Sequence, residues 1–214
     1  YTTDQIMGQL QPVVVDTHAI GNPWLNYSVY LNNTILPGVL QLMIFLVTVF
    51  SIGTEIKYST ARQWLQTGGN SLTTSLLGEL LPQTVIFTLV ALMCCAALYG
   101  FNAFPLNSGW MPMISAIILL VLASQAVGVF MIGVLPTLRL GLSFASLFGM
   151  IAFSIVGFSF PVLGMDPTLQ ALSDLFPLRH YFLIYVDQAL NGRDLFYSWS
   201  EYVWLAGFLI LPFL

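Results

Sequence analysis

Residues 79–139 read ELLPQTVIFTLVALMCCAALYGFNAFPLNSGWMPMISAIILLVLASQAVGVFMIGVLPTLR, and no residue between Glu79 and Arg139 carries a charge. The stretch holds two apolar runs, at 80–99 and 111–135, each close to the ~20 residues a helix needs to cross a ~30 Å hydrocarbon layer. Pro82 stands near the start of the first run and Pro136 closes the second. Between them Asn102, Pro105, Asn107 and Gly109 predict a short turn. Neither run alternates with a period of two, and both are too long for barrel strands. The stretch therefore reads as a pair of membrane-crossing helices.

Working outward, a third apolar run covers 36–52, with Pro37 suited to a first helical turn. A fourth begins just after Arg139 and continues to Pro161. A fifth starts near Tyr202 and runs to Leu214. The composition agrees: 57% of the residues are hydrophobic and 7% charged, against roughly a quarter charged in a soluble globular chain. A water-soluble fold of this length has too little interior to hide that much apolar surface. The sequence predicts an all-α polytopic membrane protein with five helical spans, divided into a lead-in at 1–35 and a transmembrane domain at 36–214.

The same composition excludes several classes. Five Lys+Arg against nine Asp+Glu cannot build the dense basic face that nucleic acid requires. The two cysteines, Cys94 and Cys95, are neighbours in an apolar run and read as small packing residues rather than a disulfide or metal pair. The chain opens on a polar stretch at Tyr1, which predicts no signal peptide. Its apolar ending at Phe213-Leu214 reads as part of a longer protein. The middles of the spans contain no Asp, Glu, Lys, Arg or His, whereas ion-coupled carriers place ionisable groups there. Neither a phosphate-binding GxxxxGK[ST] loop nor an HExxH metal motif occurs, so energy for any transport must come from another chain.

Orientation follows from the basic residues, which are retained on the cytoplasmic side. The loop from Glu55 to Glu79 and the Arg139 corner share one side and hold Lys57, Arg62 and Arg139. The other side has Arg179 and Arg193 among aspartates. This places the Glu55–Glu79 loop in the cytoplasm, and residues 1–35 and 161–201 outside, Asp16, Asp174 and Asp187 among them. The Asn26-Tyr-Ser and Asn32-Asn-Thr glycosylation patterns fall on the outer side.

Two segments carry the candidate function. GTEIKYSTARQWLQTGGNS reads as a short surface helix followed by a Gly68-Gly69-Asn70 turn, with Trp64 and Leu65 toward lipid or a partner and Lys57, Arg62 and Gln63 toward water. Snorkelling charges at a membrane edge are the plainer alternative. The second segment is LFPLRHYFLIYVDQAL, 175–190. Pro177 fits a first helical turn, Gly192 fits the C-terminal stop, and Leu178, Tyr181, Phe182, Tyr185 and Leu190 form one apolar face. Arg179 and Asp187 make a sixth crossing costly, so this segment is expected to be re-entrant or interfacial. His180 reads as an interfacial or capping residue rather than a catalytic base. Gly128, Gly133, Gly141, Gly149 and Gly157 are expected to allow close helix approach.

These segments together resemble the permease subunits of type-2 ABC exporters, in the branch with a large extracytoplasmic domain between its first and second spans. The resemblance rests on Phe160-Pro161, Gly164-Met165-Asp166-Pro167, Leu169 to Pro177 and His180-Tyr181. It rests also on Glu55, Lys57, Ser59 and Thr60, where Ser59 stands in a place usually held by Gly, and on Asn22-Pro23, Tyr30-Leu31-Asn32 and Pro37-Gly38. It implies that the five spans are the second to sixth of six. It implies an ATPase-coupling surface at Glu55, Lys57, Thr60, Arg62 and Trp64, and an extracytoplasmic cap at Phe160, Pro161, Pro167, Pro177, Arg179, His180 and Tyr181. The implied partners are a second permease protomer, cytoplasmic ATPase subunits that bind ATP and Mg, the lipid bilayer of a bacterial inner membrane, and a periplasmic adaptor where one is used. The chain itself would bind no cofactor. The implied activity is outward transport of a drug, a lipid or another amphiphile. A non-transporting membrane scaffold is the rival reading, and a membrane-embedded enzyme the third.

Overall fold

The computed structural model of the chain describes residues 26–157 and 162–213, and every regular element among them is helical. Phe160, Pro161, Asp16 and the Asn22-Pro23 pair lie outside the described residues. In chain order the helices are α1 (Tyr27–Lys57), α2 (Ala61–Thr67), α3 (Leu72–Cys95), α4 (Trp110–Val134), α5 (Leu138–Ile155), α6 (Pro167–Ser173), α7 (Pro177–Ile184) and α8 (Leu195–Gly207). A π-helical turn extends α3 through Ala96–Phe101, another extends α7 through Tyr185–Leu190, and a 3₁₀ turn extends α8 through Phe208–Phe213. Four of these helices, α1, α3 with its extension, α4 and α5, are long and apolar enough to cross a membrane.

Two helix starts differ from expectation. Pro37 and Pro82 lie inside α1 and α3, not in their first turns. The polar residues ahead of Pro37 are helical because their side chains bond back onto the helix. Asn33 Nδ2 donates to Val29 O at 2.8 Å, and Thr34 Oγ1 lies 3.0 Å from Tyr30 O and 2.9 Å from Leu31 O. Asn26 caps the start, its Oδ1 accepting from the Ser28 N–H at 2.9 Å. At α3 the cap is Ser71, whose Oγ accepts from the Thr74 N–H at 3.4 Å. Glu79, expected in the loop, is consequently the eighth residue of α3. Glu201, expected just before the last span, lies inside α8, which begins at Leu195 without a side-chain cap from Asp194.

The fourth expected span, α5, ends earlier than its apolar run predicts. Gly157 has φ +107°, a conformation L side chains rarely adopt, and α5 stops just before it at Ile155.

The core is centred on α4, which is buried along most of its length and packs against α1, α3, α7 and α8. Helices in lipid gain little from hydrophobicity alone, so close backbone approach sets the contact strength. At Gly128 of α4 an added Cβ would stand 2.9 Å from Thr48 Cβ of α1, which is why glycine is needed there. Gly141 and Gly149 meet α1 side chains in the same way, whereas Gly133 has nothing within 4 Å. The expectation of close approach thus holds for three glycines. Gly133 is open, and Gly157 acts as a helix stop. Thr84 Oγ1 donates to Gln125 Oε1 at 2.7 Å, a polar tie between α3 and α4 of the kind worth about 0.6 kcal/mol in membranes.

The segment from α6 to the end of α7 folds back into the bundle. Phe176, the N-cap of α7, stacks on Phe148 of α5 with centroids 4.3 Å apart, and Phe148 in turn meets Phe45 of α1 at 5.8 Å. The chain then returns to the loop after α3, where the Asn107 N–H donates to Ala189 O at 3.1 Å. From there α8 and its 3₁₀ turn run along α4 to bring Leu211 and Pro212 beside Ile52 and Leu72, at the Lys57 end of α1.

Candidate functional site

At the Lys57 end, α1, α2 and the start of α3 form one tied unit. Lys57 occupies the last turn of α1, where a cation complements the helix dipole, and its Nζ lies 5.1 Å from the Tyr58 ring centroid. Ser59 follows with φ +60°. The left-handed backbone at this position is the physical reason a glycine suits it. Thr60 then closes the corner: its N–H donates to Glu55 O at 3.0 Å and its Oγ1 to Glu55 Oε2 at 2.5 Å. Ser75 Oγ donates to Trp64 O at 3.4 Å and fastens α2 to α3. The expected short helix and its Gly68-Gly69-Asn70 turn are both present, with Gly69 at φ +70° and Asn70 at φ +60°.

The five residues assigned to this surface divide into two sets. Lys57 and Arg62 are exposed, while Glu55, Thr60 and Trp64 are half-buried. Trp64, expected to face lipid or a partner, is half-buried. It lines a cleft of about 430 Å³ with Ile52, Leu72, Leu76, Val129 and Leu211. A polar hollow of about 560 Å³ adjoins it, lined by Glu55, Trp64, Thr74, Ser75 and Glu79 among others. Ser51 Oγ donates to Glu79 Oε1, and Glu79 Oε2 is buried with no hydrogen-bond partner. Sequence reasoning missed this hollow. Its signal was the Ser51–Glu79 pair, invisible while Glu79 was placed in a loop.

At the opposite end lies the second set. Asp166 caps α6, its Oδ1 accepting from the Thr168 N–H at 2.9 Å, and that bond holds its carboxyl below the usual carboxylate value. Pro167 and Pro177 each begin a helix, as Pro177 was expected to do. Arg179 Nη1 donates to Val156 O at 2.9 Å, so a cation caps the C-terminus of α5. Gly157 makes room for it, since a Cβ there would lie 2.7 Å from Nη1. Burial draws the guanidinium below its usual value, and the Asp174 and Glu201 charges oppose that shift.

His180 is 2% exposed, buried within the bundle. Its Nδ1 lies 2.7 Å from Glu201 Oε2, its Nε2 lies 2.9 Å from Asp174 O, and its ring stacks on Trp204 at 5.5 Å. Facing a carbonyl, Nε2 must donate, and the Nδ1–carboxylate contact needs one further proton between them. The contact satisfies the buried imidazole and locks α7 to α8. Tyr181 is buried beside it, 3% exposed. The structure thus gathers Arg179, His180 and Tyr181 at one place, with Glu201 as the partner that sequence reasoning missed. Among the described residues no group of three or more His, Cys, Asp or Glu could hold a metal ion.

Long apolar helices, polar groups tied in pairs and charges gathered at the two helix ends define an all-helical polytopic membrane protein. The model of the family described as ABC-2 family transporter protein matches residues 2–214, and the chain belongs to that family. It is accordingly a membrane transport component rather than an enzyme. No curated protein and no solved structure matches it.

Proposed function

We propose that the chain is the membrane subunit of an ATP-driven exporter, moving a lipid-like or amphiphilic substrate or drug outward while a separate cytoplasmic ATPase supplies the work. The observation that carries this reading is the rigid corner at Ser59–Thr60, which presents exposed Lys57 and Arg62 beside a helix fastened to both α1 and α3. A push on α2 is thereby transmitted to two long helices at once.

In this reading the Lys57 end is cytoplasmic, and α8 with its 3₁₀ extension is a fifth crossing. Its 19 residues, Leu195 to Phe213, reach about 30 Å at the rises of α and 3₁₀ helices. The five crossings are the second to sixth of six. The α6–α7 segment is an extracytoplasmic re-entrant cap, two protomers pair in a bacterial inner membrane, and each docks an ATPase that binds ATP and Mg. Family membership supports the ATPase and permease partners. The test is transport in proteoliposomes carrying the full-length protein and its co-purifying ATPase. Uptake into inverted vesicles that requires ATP is the expected result, and export driven by a proton gradient with no ATPase present overturns the assignment.

A further inference from the structure

The cleft and the hollow at the Lys57 end adjoin each other, with Glu55 and Trp64 in the lining of both. One wall is apolar, built from Ile52, Leu72, Leu76 and Leu211, and the other carries the Glu55 and Glu79 carboxylates among hydroxyls. No Lys, Arg or His lines either part. Lys57 and Arg139 instead line a separate hollow around Pro136, and no cation lies within ion-pair distance of Glu55 or Glu79 among the described residues. Glu55 and Glu79 each accept a bond from one neutral hydroxyl, and Glu79 Oε2 has no partner at all. Uncompensated negative charge in a low-dielectric recess is costly, and a positive ligand relieves that cost. Trp64 stands at the seam, where an indole face attracts a diffuse cation. The volumes, about 430 and 560 Å³, fall in the usual range for small-molecule sites.

We infer that this recess is a binding site for an amphiphilic cation, whose charged centre sits beside Trp64 and Glu55, within the field of the covered Glu79 carboxylate, and whose apolar groups lie against α3, α4 and the end of α8. This deepens the exporter reading by naming a substrate class, and it rests on that reading for the direction of transport, though binding itself does not. A metal ion would leave the apolar wall unused, and an anionic lipid would be repelled.

The probe is tetraphenylphosphonium, with tetraphenylborate as the control of the same shape and opposite charge. Binding is measured on the purified full-length protein in neutral detergent without ATPase. Saturable binding is expected for the phosphonium ion and at least tenfold weaker binding for the borate. Glu55→Gln and Glu79→Gln should each weaken the phosphonium ion about tenfold, which is about 1.4 kcal/mol. Glu79→Gln keeps an acceptor for Ser51, so unchanged gel-filtration behaviour and melting temperature separate lost binding from lost folding. Equal affinity for the two ions, or wild-type phosphonium affinity in both glutamine variants, overturns the site. Blocked binding that is restored by removing another segment of the chain overturns it as well, by showing the recess to be an internal packing surface. Phosphonium binding as described, without any ATP-driven transport, keeps the site and removes the exporter reading. ATP-driven transport of other compounds with no phosphonium binding does the reverse.

Discussion

Ser59 shows how one backbone angle explains a residue preference. It stands at φ +60° between the end of α1 and Thr60, where a Cβ costs about 1–2 kcal/mol and a glycine costs entropy instead. Ser59→Gly should raise stability by about 0.5–1 kcal/mol net of that entropy, read as a higher melting temperature of the purified protein. A lower one would show that the corner is held by the serine. The departure from glycine was visible in the sequence, but its cost was not, because only the fold reveals the sign of φ. His180 carries the same lesson. Its position on an apolar helix was legible, yet its partner Glu201 lies 21 residues away across a helix change, and no local spacing rule links them. The signal available was a lone carboxylate in the apolar stretch before Leu214, which is costly unless paired.

At the level of elements, four of the five apolar runs correspond to helices long and apolar enough to cross a membrane, and Pro177 opens α7 as its place in the sequence predicts. Boundaries were missed where polar side chains stay helical by bonding to carbonyls one turn back, as at Asn33 and Thr34, since pattern alone reads such residues as loop. Helix contacts separate the glycines further. Gly128→Ala forces Cβ atoms of α4 and α1 together at Thr48, whose branched Cβ has little freedom to retreat. It should destabilise the bundle by about 1–3 kcal/mol. Gly133→Ala, with nothing within 4 Å, should be neutral or raise stability by up to about 1 kcal/mol through helix propensity. Thermal unfolding in detergent compares the two. Equal behaviour would remove close approach as the cement between α1 and α4.

For the whole molecule, the two ends of the bundle are built differently. One end is closed by Arg179, His180 and Glu201, each bonded inside the fold. The other keeps Lys57 and Arg62 exposed on a corner stiffened by Thr60 and Ser75, next to an open recess. A closed end and a receptive end are what a lever driven from one side requires, and exposed charges are retained there at little benefit to stability. The most direct measurement is the pair Lys57→Glu and Arg62→Glu, singly and together, in reconstituted complexes assayed for ATP hydrolysis and transport. Single reversals should reduce both activities in part. The double reversal should nearly abolish substrate-stimulated hydrolysis and transport while melting temperature and dimer formation stay as in wild type, because two reversals oppose the partner's field. Full ATP-driven transport by the double variant would contradict the account and place coupling elsewhere on the chain.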